Sequence, residues 1–491
     1  MTHWLIPSAS DLSAISAEAT VVCTIVAMLI AAMVSPKRSN LTSGAIALAG
    51  VVVAWFVVSF HASIHTGAAF SNAIISDSSA VLWKQMLLIF VIGVIGVWFT
   101  STRIAMRDGE APEFFTLLLS STVGMMLMGS TSNLLMILLA MEIASMPTYV
   151  LAGFRKTQPR SAEASLKFVL FGGVCTAVMV YGMSLLYGTH ASLDVSVIAS
   201  QFAHGVPPTS VVALGMIGVG LLFKLSAVPL HFWCPDVFEG AHVDVAAFLS
   251  VASKGAAVVL LARLGWMLSE HSTEVAHAFA ITIAALGVLT TTVGNLGALR
   301  QTSVKRLLAY SSIAHAGYLM CALAIVRHPD AMTTTAIYLL VYLAMNLGAF
   351  AVLAGVERRS GNDAVASFNG LSRSSPLSAI AMTVCLISMV GLPPTAGVIA
   401  KLKIMAIYAD IGSVGWAVVA AVALNSVISL AYYAKIIRAM YLTRDPDANA
   451  IPLTRTEQII PVACAVVLVL MLIGFAGLER LAGYMNGFAD K

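Results

Sequence analysis

Ionisable side chains stand inside long apolar runs of this 491-residue chain, where a lipid bilayer would surround them. Glu142, Lys224, Lys254 and Lys401 lie well inside such runs, and Lys167 lies nearer to one end. A charge at bilayer depth costs about 2.5 kcal/mol or more. Such groups therefore face a bundle interior or a wet cavity, and they commonly mark the route of a proton or another ion.

A buried carboxyl group and buried amines can transfer protons if their charge states change readily. Glu142 is the acid nearest the centre of an apolar run, so it must be protonated, hydrated or paired with a cation. Burial disfavours the charged form of an amine, and a buried lysine can then take up and release a proton near neutral pH. These residue types predict a proton relay. For Glu142, a static salt bridge that only joins helices is the alternative.

Two further candidates lie on the segment KRLLAYSSIAHAGY. Lys305 and His315 are ten residues apart, which is about 15 Å along a helix. Waters, or hydroxyl groups such as those of Ser311 and Ser312, would have to bridge that distance. Histidine titrates in the physiological range, which suits a relay. The alternative is a buried neutral histidine whose hydrogen bonds are satisfied.

The segment HFWCPDVFEGAHVD groups side chains of the types that bind metals. His231, Cys234, Asp236, Glu239 and His242 fit no standard zinc spacing. The six cysteines of the chain are scattered and include no CxxC pair, which argues against an iron–sulfur cluster. We therefore expect this chain to bind no metal and no other cofactor.

The composition predicts an all-α membrane protein with many spans. Apolar residues make up 59% of the chain, charged residues 10%, and the mean hydropathy is +0.92, whereas soluble proteins carry about 25% charged residues. Runs of about 20 apolar residues each predict a spanning helix. We count fourteen, at approximately 12–35, 41–61, 79–100, 112–130, 132–153, 162–187, 209–233, 243–266, 276–298, 302–325, 331–355, 375–408, 413–441 and 458–478.

The distribution of basic residues predicts the orientation. Loops that follow odd-numbered spans, with the adjoining helix ends, hold 17 basic residues: Lys37, Arg38, Arg103, Arg107, Arg155, Lys156, Arg160, Arg300, Lys305, Arg306, Arg358, Arg359, Arg373, Lys435, Arg438, Arg444 and Arg455. The opposite side holds 4: Arg263, Arg327, Arg480 and Lys491. Because cytoplasmic loops carry the excess of Lys and Arg, we expect the odd-numbered loops in the cytoplasm and both termini outside.

Two predicted spans contain proline beside a buried lysine. Pro229 follows Lys224 by five residues in the seventh span, and a Pro-Pro pair precedes Lys401 in the twelfth. Proline removes a helical hydrogen bond, so we expect two broken helices. Their spacing of five spans predicts two five-helix repeats, spans 4–8 and 9–13, inverted in the membrane as in many transporters. Ordinary proline kinks without a repeat are the alternative.

The predicted units follow from this division. They are an N-terminal three-helix segment at 1–111, the first repeat at 112–266, the inverted second repeat at 276–441 and a C-terminal helix at 442–491. Within the second repeat, Lys401 and Lys403 would point about 200° apart on a regular helix, so one channel cannot receive both. We favour Lys401 for the relay and expect Lys403 to face a neighbouring subunit or a second cavity.

Several strings resemble the antiporter-like membrane subunits of respiratory complex I. These strings are MEIASMPTYVLAGF, EASLKFVLFGG, FKLSAVPLHFWCPDVFEGA, SKGAAVVLLARL, KRLLAYSSIAHAGY, GLPPTAGVIAKLK and NSVISLAYYAKIIRAMYL. The resemblance extends from about residue 110 to 441, and the count of fourteen spans extends it over the chain. The chain ends soon after its fourteenth span, which favours a member of this group without the lateral helix of the longest subunit.

The resemblance implies roles for individual residues. In that family the glutamate of the fifth helix pairs with the lysine of the broken seventh helix, here Glu142 and Lys224. The eighth-, twelfth- and sixth-helix lysines and the histidine beside the seventh-helix break also carry over: Lys254, Lys401, Lys167 and His231. Two departures are Cys234, where threonine is usual, and the pair Leu402 and Lys403, where an aromatic residue often follows the lysine. The second departure leaves the local exit route open.

The function implied by the resemblance is proton translocation driven by electron transfer in partner subunits. FMN and iron–sulfur clusters would belong to those partners, and this chain would perform no redox chemistry. Its partners would be other membrane-arm subunits and the lipid of a bacterial inner membrane, with quinone reached only through the whole complex and no nucleic acid involved. The alternative is a subunit of a multisubunit Na⁺(K⁺)/H⁺ antiporter, whose motifs are shared.

Overall fold

A computed structural model describes residues 7–35, 39–61, 67–101, 109–443 and 452–488, which are mostly helical. Some basic residues used to predict the orientation lie outside the described residues: Lys37, Arg38, Arg103, Arg107, Arg444 and Lys491.

The helices are numbered in chain order. They are α1 (Ala9–Ala14), α2 (Ser16–Val34), α3 (Ser39–His61), α4 (Ser78–Thr100), α5 (Glu110–Met128), α6 (Leu134–Ala152), α7 (Pro159–His190), α8 (Val195–Gln201), α9 (Pro208–Leu225), α10 (Trp233–Gly240), α11 (Val243–Phe248), α12 (Lys254–Leu268), α13 (Thr273–Ala298), α14 (Val304–Ala324), α15 (Ala331–Ser360), α16 (Leu371–Ser374), α17 (Pro376–Val390), α18 (Gly397–Ala409), α19 (Ser413–Tyr441), α20 (Arg455–Ile473) and α21 (Phe475–Gly483).

Shorter elements connect these helices. A π-helical turn, Leu249–Ser253, joins α11 to α12. Three short 3-10 helices are Phe202–His204, Val365–Phe368 and Tyr484–Phe488. Strands β1 (Gly67–Ala69) and β2 (Ile74–Ser76) form an antiparallel hairpin in which Ala68 pairs with Ile75.

Thirteen of the described helices are long and apolar enough to cross a membrane, with α11, the π-helical turn and α12 counted as one. The all-α membrane class predicted from the sequence is therefore confirmed. The twelfth predicted span, 375–408, is divided between α17, with 15 residues, and α18, with 13. Each half is shorter than the roughly 20 residues that a spanning helix needs.

The first break follows α9, which ends at Leu225, whereas the sequence predicted a span to residue 233. Ser226 has a φ of 56°, and the chain turns through Pro229 before α10 begins. The break removes the regular helical hydrogen bonds of the last turn of α9. The carbonyl of Phe223 accepts a hydrogen bond from the Trp233 indole N–H at 3.1 Å. Protein therefore supplies a partner that lipid cannot.

The second break separates α17 from α18. Gly391 has a φ of +87°, in the region where a residue with a Cβ is strained, and a Pro-Pro pair follows closely. The carbonyls of Met389 and Val390 lie at the end of α17. They accept hydrogen bonds from the amine of Lys401 at 3.0 and 2.9 Å. This break thus creates the oxygen ligands of one predicted relay residue.

The centre of the bundle consists of α11–α12, α14 and α15. In the most apolar windows of these three spans, 100%, 94% and 89% of the residues are buried, against 22% for both α13 and α19. Residues on these helices are therefore interior because the helices themselves are buried. They include Lys254 on α12 and both Lys305 and His315 on α14. The outer helices present apolar side chains outward, as a lipid environment requires.

Glycines lie where α13 and α14 cross. A Cβ added to Gly317 would lie 2.5 Å from both the carbonyl oxygen of Gly287 and the backbone nitrogen of Thr291. A Cβ added to Gly287 would lie 2.9 Å from the carbonyl oxygen of Gly317. Small residues at such crossings let two membrane helices approach closely. The close contact between these helices therefore depends on glycine at both positions, because any other side chain would add a Cβ at the crossing.

Gly317→Ala should destabilise the bundle, because the added methyl group meets backbone atoms that cannot move independently of their helix. Overpacking of this kind costs about 1–3 kcal/mol. Gly173→Ala on α7 is the matched control, since its added Cβ meets nothing within 4 Å. The melting temperatures of the two purified variants measure the difference. Equal values would show that the α13–α14 crossing is not tightly packed.

Candidate functional site

The first candidate pair lies where α6, α7 and α9 meet. Lys224 is 2% exposed, and its amine donates to Ser145 Oγ at 2.8 Å. Glu142 lies one turn earlier on α6, and its Oε1 accepts from Thr176 Oγ1 on α7 at 3.0 Å. The resemblance implies that Glu142 pairs with Lys224. Among the described residues, however, these two side chains form no direct ion pair. Ser145 binds the amine instead, within one helical turn of the carboxylate.

Lys254 is the first residue of α12, immediately after the π-helical turn, an irregularity frequent at functional sites. Its amine is 1% exposed and donates to Ser312 Oγ at 2.6 Å and to Cys234 Sγ at 3.7 Å. The amine also lies 5.8 Å from the centre of the Phe238 ring. Cys234, which replaces the usual threonine of the resembling family, thus retains a weak acceptor at this position.

Lys401 on α18 is bound by neutral oxygens. Besides the two carbonyls of the second break, its amine donates to Ser426 Oγ on α19 at 2.9 Å and lies 4.4 Å from the centre of the Tyr318 ring. In the part of the chain that the structure describes, no carboxylate is among the hydrogen-bond partners of this amine. The partial negative charge at the carboxyl end of α17 and the face of the tyrosine ring stabilise the ammonium form.

Lys403 faces different surroundings, as the helical spacing predicts. Its amine forms an ion pair with Glu479 on α21 and lies 5.4 Å from the centre of the Phe475 ring. The expectation that this lysine faces a neighbouring subunit or a second cavity is therefore corrected. The C-terminal helix of the same chain occupies that face, because α21 folds back against the bundle. Lys401 alone points into the interior.

Hydroxyl groups continue the polar contacts beyond Lys254. Ser311 adjoins Ser312 on α14, and its hydroxyl is hydrogen-bonded to that of Tyr433 on α19. The rings of Tyr433 and its neighbour Tyr432 are in contact, with centroids 4.3 Å apart. The contacts thus lead from the amine on α12 to the inner face of α19.

Asn295 on α13 extends these contacts toward Lys401. Its Oδ1 accepts from the Tyr432 hydroxyl at 2.9 Å, and its Nδ2 donates to the Tyr318 hydroxyl at 3.5 Å. The ring of Tyr318 is the one that faces Lys401. We call this set the polar bridge: Ser312, Ser311, Tyr433, Tyr432, Asn295 and Tyr318.

Sequence reasoning named the two serines of the polar bridge but missed its tyrosines and Asn295. Neutral polar residues cost less in a span than charges do, so we did not single them out. The available signal was an asparagine in the middle of an apolar run and paired tyrosines in the motif NSVISLAYYAKII. Side-chain amides and hydroxyls of this kind commonly bond across membrane helices.

His315 lies beside the polar bridge. Its Nδ1 is hydrogen-bonded to the Tyr338 hydroxyl at 2.7 Å, and its ring lies 5.0 and 5.8 Å from the rings of Tyr342 and Tyr318. A satisfied hydrogen bond in an aromatic enclosure agrees with the alternative of a structural histidine. The same contact connects the imidazole to a hydroxyl group on α15.

Lys167 lies away from the other candidate lysines. Its side chain is 38% exposed and forms ion pairs with Glu163 at 2.8 Å and with Asp236 on α10 at 2.7 Å. It contacts neither Glu142 nor Lys224 in the described structure, because it precedes Thr176, the partner of Glu142, by nine residues on α7, or about 13 Å of helix.

Asp236 joins two cations at one end of the bundle. It binds Lys167 and the Arg306 guanidinium, at 2.8 Å, and Arg306 also binds Glu239 at 2.7 Å. Burial alone would raise the pKa of Asp236. Hydrogen bonds from Lys167 and Arg306 outweigh burial and lower the pKa below its ordinary value. This carboxylate therefore remains ionised and fixes α7, α10 and α14 to one another.

The residues considered for a metal site point in different directions. Asp236 and Glu239 bind Arg306, while Cys234 contacts Lys254. Across the described ranges, no three His, Cys, Asp or Glu side chains converge in a way that could bind a metal. The carboxylates and the thiol of this segment thus contact cations instead of one another.

His231 and Lys305 lie at separate points of the bundle. His231 belongs to the loop of the first break, and its ring contacts that of Phe232 with centroids 4.5 Å apart. Lys305 is buried at the start of α14, where its amine donates to Glu357 Oε1 at 3.0 Å and to the carbonyl of Ala241 at 3.3 Å. Lys305 is thus paired with a carboxylate, unlike the amines of the middle of the bundle.

Comparison with known families gives one match that covers most of the chain. Residues 131–429 match the family described as "NADH:quinone oxidoreductase/Mrp antiporter, TM". This range includes every candidate relay residue named from the sequence.

Individual relatives agree with this match. NADH-quinone oxidoreductase subunit N 2 of Sorangium cellulosum is 41% identical over 376 residues, which cover 74% of each chain. A chain in the structure of respiratory complex I from Thermus thermophilus with bound aureothin is 30% identical, with a TM-score of 0.78 over 95% of this chain and 99% of that one. A chain of the Mrp complex from Dietzia sp. shares the fold, with a TM-score of 0.82 at 19% identity and 98% coverage of both chains.

Asp236→Asn should lower the stability of the bundle while preserving the shape of the side chain. The neutral amide loses its charge interaction with Lys167 and Arg306, both partly exposed, so we expect a loss of about 1 kcal/mol. Glu113→Gln is the control, because Glu113 pairs with Lys156 in a far more exposed position. Thermal unfolding of the purified variants gives the comparison. An unchanged melting temperature for Asp236→Asn would contradict a joining role for this carboxylate.

Proposed function

We propose, since this chain belongs to the NADH:quinone oxidoreductase/Mrp antiporter membrane family, that it translocates protons as a membrane-arm subunit of a NADH:quinone oxidoreductase. It lies in the membrane beside other membrane-arm subunits of that complex. Electron transfer takes place in partner subunits that bind FMN and iron–sulfur clusters, and quinone is reached only through the whole complex. The chain is thus a subunit of a translocase without a redox centre of its own.

One observation carries this proposal. Two buried amines, those of Lys254 and Lys401, are connected across the second half of the bundle by the polar bridge. Hydroxyl groups both donate and accept hydrogen bonds, so a series of them can pass a proton onward by reorientation. Neutral side chains alone can join membrane helices, but buried amines at both ends of such a series are costly unless they transfer ions.

The relay that we propose starts at the Glu142 and Lys224 pair and passes through Lys254 to Lys401. Ordered water connects Lys224 to Lys254, and the polar bridge connects Lys254 to Lys401. His231 lies at the first break, close enough to Lys254 to interact with its charge. The remaining candidates lie beside this route. His315 adjoins the polar bridge, and Lys167 and Lys305 form ion pairs at the end of the bundle.

The topology that we propose places the Lys/Arg-rich end of the bundle in the cytoplasm of a bacterium and both termini outside its inner membrane. The excess of basic residues on one side supports this orientation. Two inverted repeats, at 112–266 and 276–441, are supported by the position of the breaks. In each predicted unit the fourth span is the broken one, and a buried lysine lies beside the break.

The alternative of a Na⁺(K⁺)/H⁺ antiporter subunit is less favoured. Similarity to the Mrp complex chain is 19% in sequence and therefore concerns the fold alone. Relatives at 41% and 37% identity are NADH-quinone oxidoreductase subunits. In both cases the buried amines would serve ion transfer, and the difference lies in the partner subunits that drive it.

Lys224→Ala should reduce proton pumping per NADH oxidised at least about fivefold, which corresponds to roughly 1 kcal/mol in the barrier. The substitution removes the amine that lies one turn from Glu142. Pumping is measured by the quenching of a pH-sensitive dye in inside-out membrane vesicles, and assembly by the amount of complex in the membrane. Arg373→Ala, at an exposed position of α16, is the control. Normal pumping by an assembled Lys224→Ala complex would refute the relay.

Tyr432→Phe tests the polar bridge. The variant loses one hydroxyl group and leaves the buried Oδ1 of Asn295 without that donor, so we expect pumping to fall about threefold to tenfold. Tyr181→Phe, on the outer face of α7, removes an exposed hydroxyl and should pump as the wild type does. If the two variants pump equally well, protons do not pass through this side chain.

A further inference from the structure

A cleft of about 450 Å³ opens on the Lys/Arg-rich end of the bundle, between the start of α5, the α6–α7 connection and the end of α15. Charged side chains from these elements line it, together with His242, which precedes α11. The cleft is large enough for a cluster of waters. The charged residues of its lining are Glu110, Arg155, Lys156, Glu357 and Arg358.

Glu357 lines this cleft with a carboxylate whose two oxygens differ. Oε1 accepts from Lys305 at 3.0 Å and from Arg155 at 3.2 Å, and the side chain is 12% exposed. Oε2 is covered by protein and has no hydrogen-bond partner among the described atoms. A buried acceptor without a partner is costly, and a bound proton would satisfy this oxygen. The carboxylate is therefore placed to accept a proton.

Lys305 connects Glu357 to the interior. Its amine is 3% exposed, so Glu357 separates it from the cleft. Lys305 also belongs to α14, the helix whose Ser311 and Ser312 begin the polar bridge. Lys305 and Ser312 are seven residues apart on α14, about 10 Å along the helix, so water has to connect this amine to Ser312 and Lys254.

We propose that Glu357 is the residue that takes up protons from this cleft and delivers them to the relay. The inference rests on the proposed function and adds an uptake site to it. A hydronium ion in the cleft donates to the carboxylate: one O–H bond breaks, another forms, and Glu357 becomes neutral. Lys305 then donates one N–H proton to a water molecule on its inner side, which passes a proton on toward Lys254, and Lys305 receives the proton of Glu357. Both groups return to their initial charges, and one proton has moved inward.

The charges around Glu357 suit this role. Arg155 and Lys305 both bind Oε1, at 3.2 and 3.0 Å, which leaves Oε2 for a proton. Burial, with the charges of Arg155 and Lys305 adding to its effect, lowers the pKa of His242 to about 3. The imidazole is therefore neutral at physiological pH and does not repel an arriving proton. The other charged groups that line the cleft are Glu110, Lys156 and Arg358.

Glu357→Gln tests this proposal in inside-out vesicles that contain the assembled complex, where the cleft faces the external buffer. Glutamine keeps the size of the side chain but cannot be protonated and deprotonated in this way. We expect pumping per NADH to fall at least about fivefold at neutral pH. The defect should deepen as external pH rises, because Lys305 must then collect scarce protons directly. Glu113→Gln, an exposed carboxylate on the same end, is the control and should match the wild type.

Two further variants separate proton uptake from structural support. Glu357→Ala leaves space for a small acid. Formate at roughly 50 mM, enough to fill a site with a millimolar Kd, should restore pumping. Wild-type vesicles at the same formate concentration are the reference. Arg155→Gln combined with Glu357→Gln removes the uncompensated arginine charge, so that assembly is retained if Glu357→Gln alone fails to fold. A pH-independent defect without rescue by formate would assign Glu357 a structural role and overturn the proposal.

The outcomes for the two proposals differ. If Lys254→Ala abolishes pumping while Glu357→Gln pumps normally at every pH, the uptake site is refuted and the relay stands. If Lys254→Ala pumps normally, the relay itself is refuted, whatever Glu357→Gln does.

Discussion

The free-energy cost of placing an ammonium group in an apolar interior determines which side chains surround the lysines in the middle of this bundle. Lys224, Lys254 and Lys401 are at most 3% exposed, and each is bound by uncharged oxygens in the described part of the chain. A contact carboxylate holds an amine in its charged form, because an amine that lost its proton would leave a buried unpaired anion unless the carboxylate were protonated first. Hydroxyls and carbonyls stabilise the cation without this penalty. The amines can therefore exist in either state.

The ends of the bundle follow the opposite rule. There Asp236 binds Lys167 and Arg306, and Glu457 binds Arg358 and Arg359, in permanent ion pairs. The cations of these pairs are partly exposed, so pairing costs less than in the interior and fixes the helices in place. Glu357 lies at the boundary between the two regimes, because it is paired like a surface carboxylate and yet adjoins a buried amine. This intermediate position is what makes it a candidate for proton uptake.

The helix breaks connect sequence to chemistry. Pro229 and the Pro-Pro pair were recognisable from the sequence as places where helical hydrogen bonds must fail. The second break leaves the carbonyls of Met389 and Val390 free, and the amine of Lys401 uses them. Breaking a helix in lipid is costly. We therefore infer that the carbonyl ligands created by the break serve a function. The same break divides 375–408 into two halves, each too short to span alone.

The sequence by itself determined the class of protein, the helices, the two breaks and the burial of Lys224, Lys254 and Lys401, because hydropathy and proline act locally along the chain. Only the tertiary structure decided which groups those amines contact. Lys224 binds Ser145 rather than Glu142, and Lys167 lies against α10 rather than in the interior. Partners of this kind come from helices distant in sequence, and their choice depends on helix rotation and crossing. The polar bridge through Asn295 could not be predicted for the same reason, because the partners of neutral polar groups depend on how the helices pack.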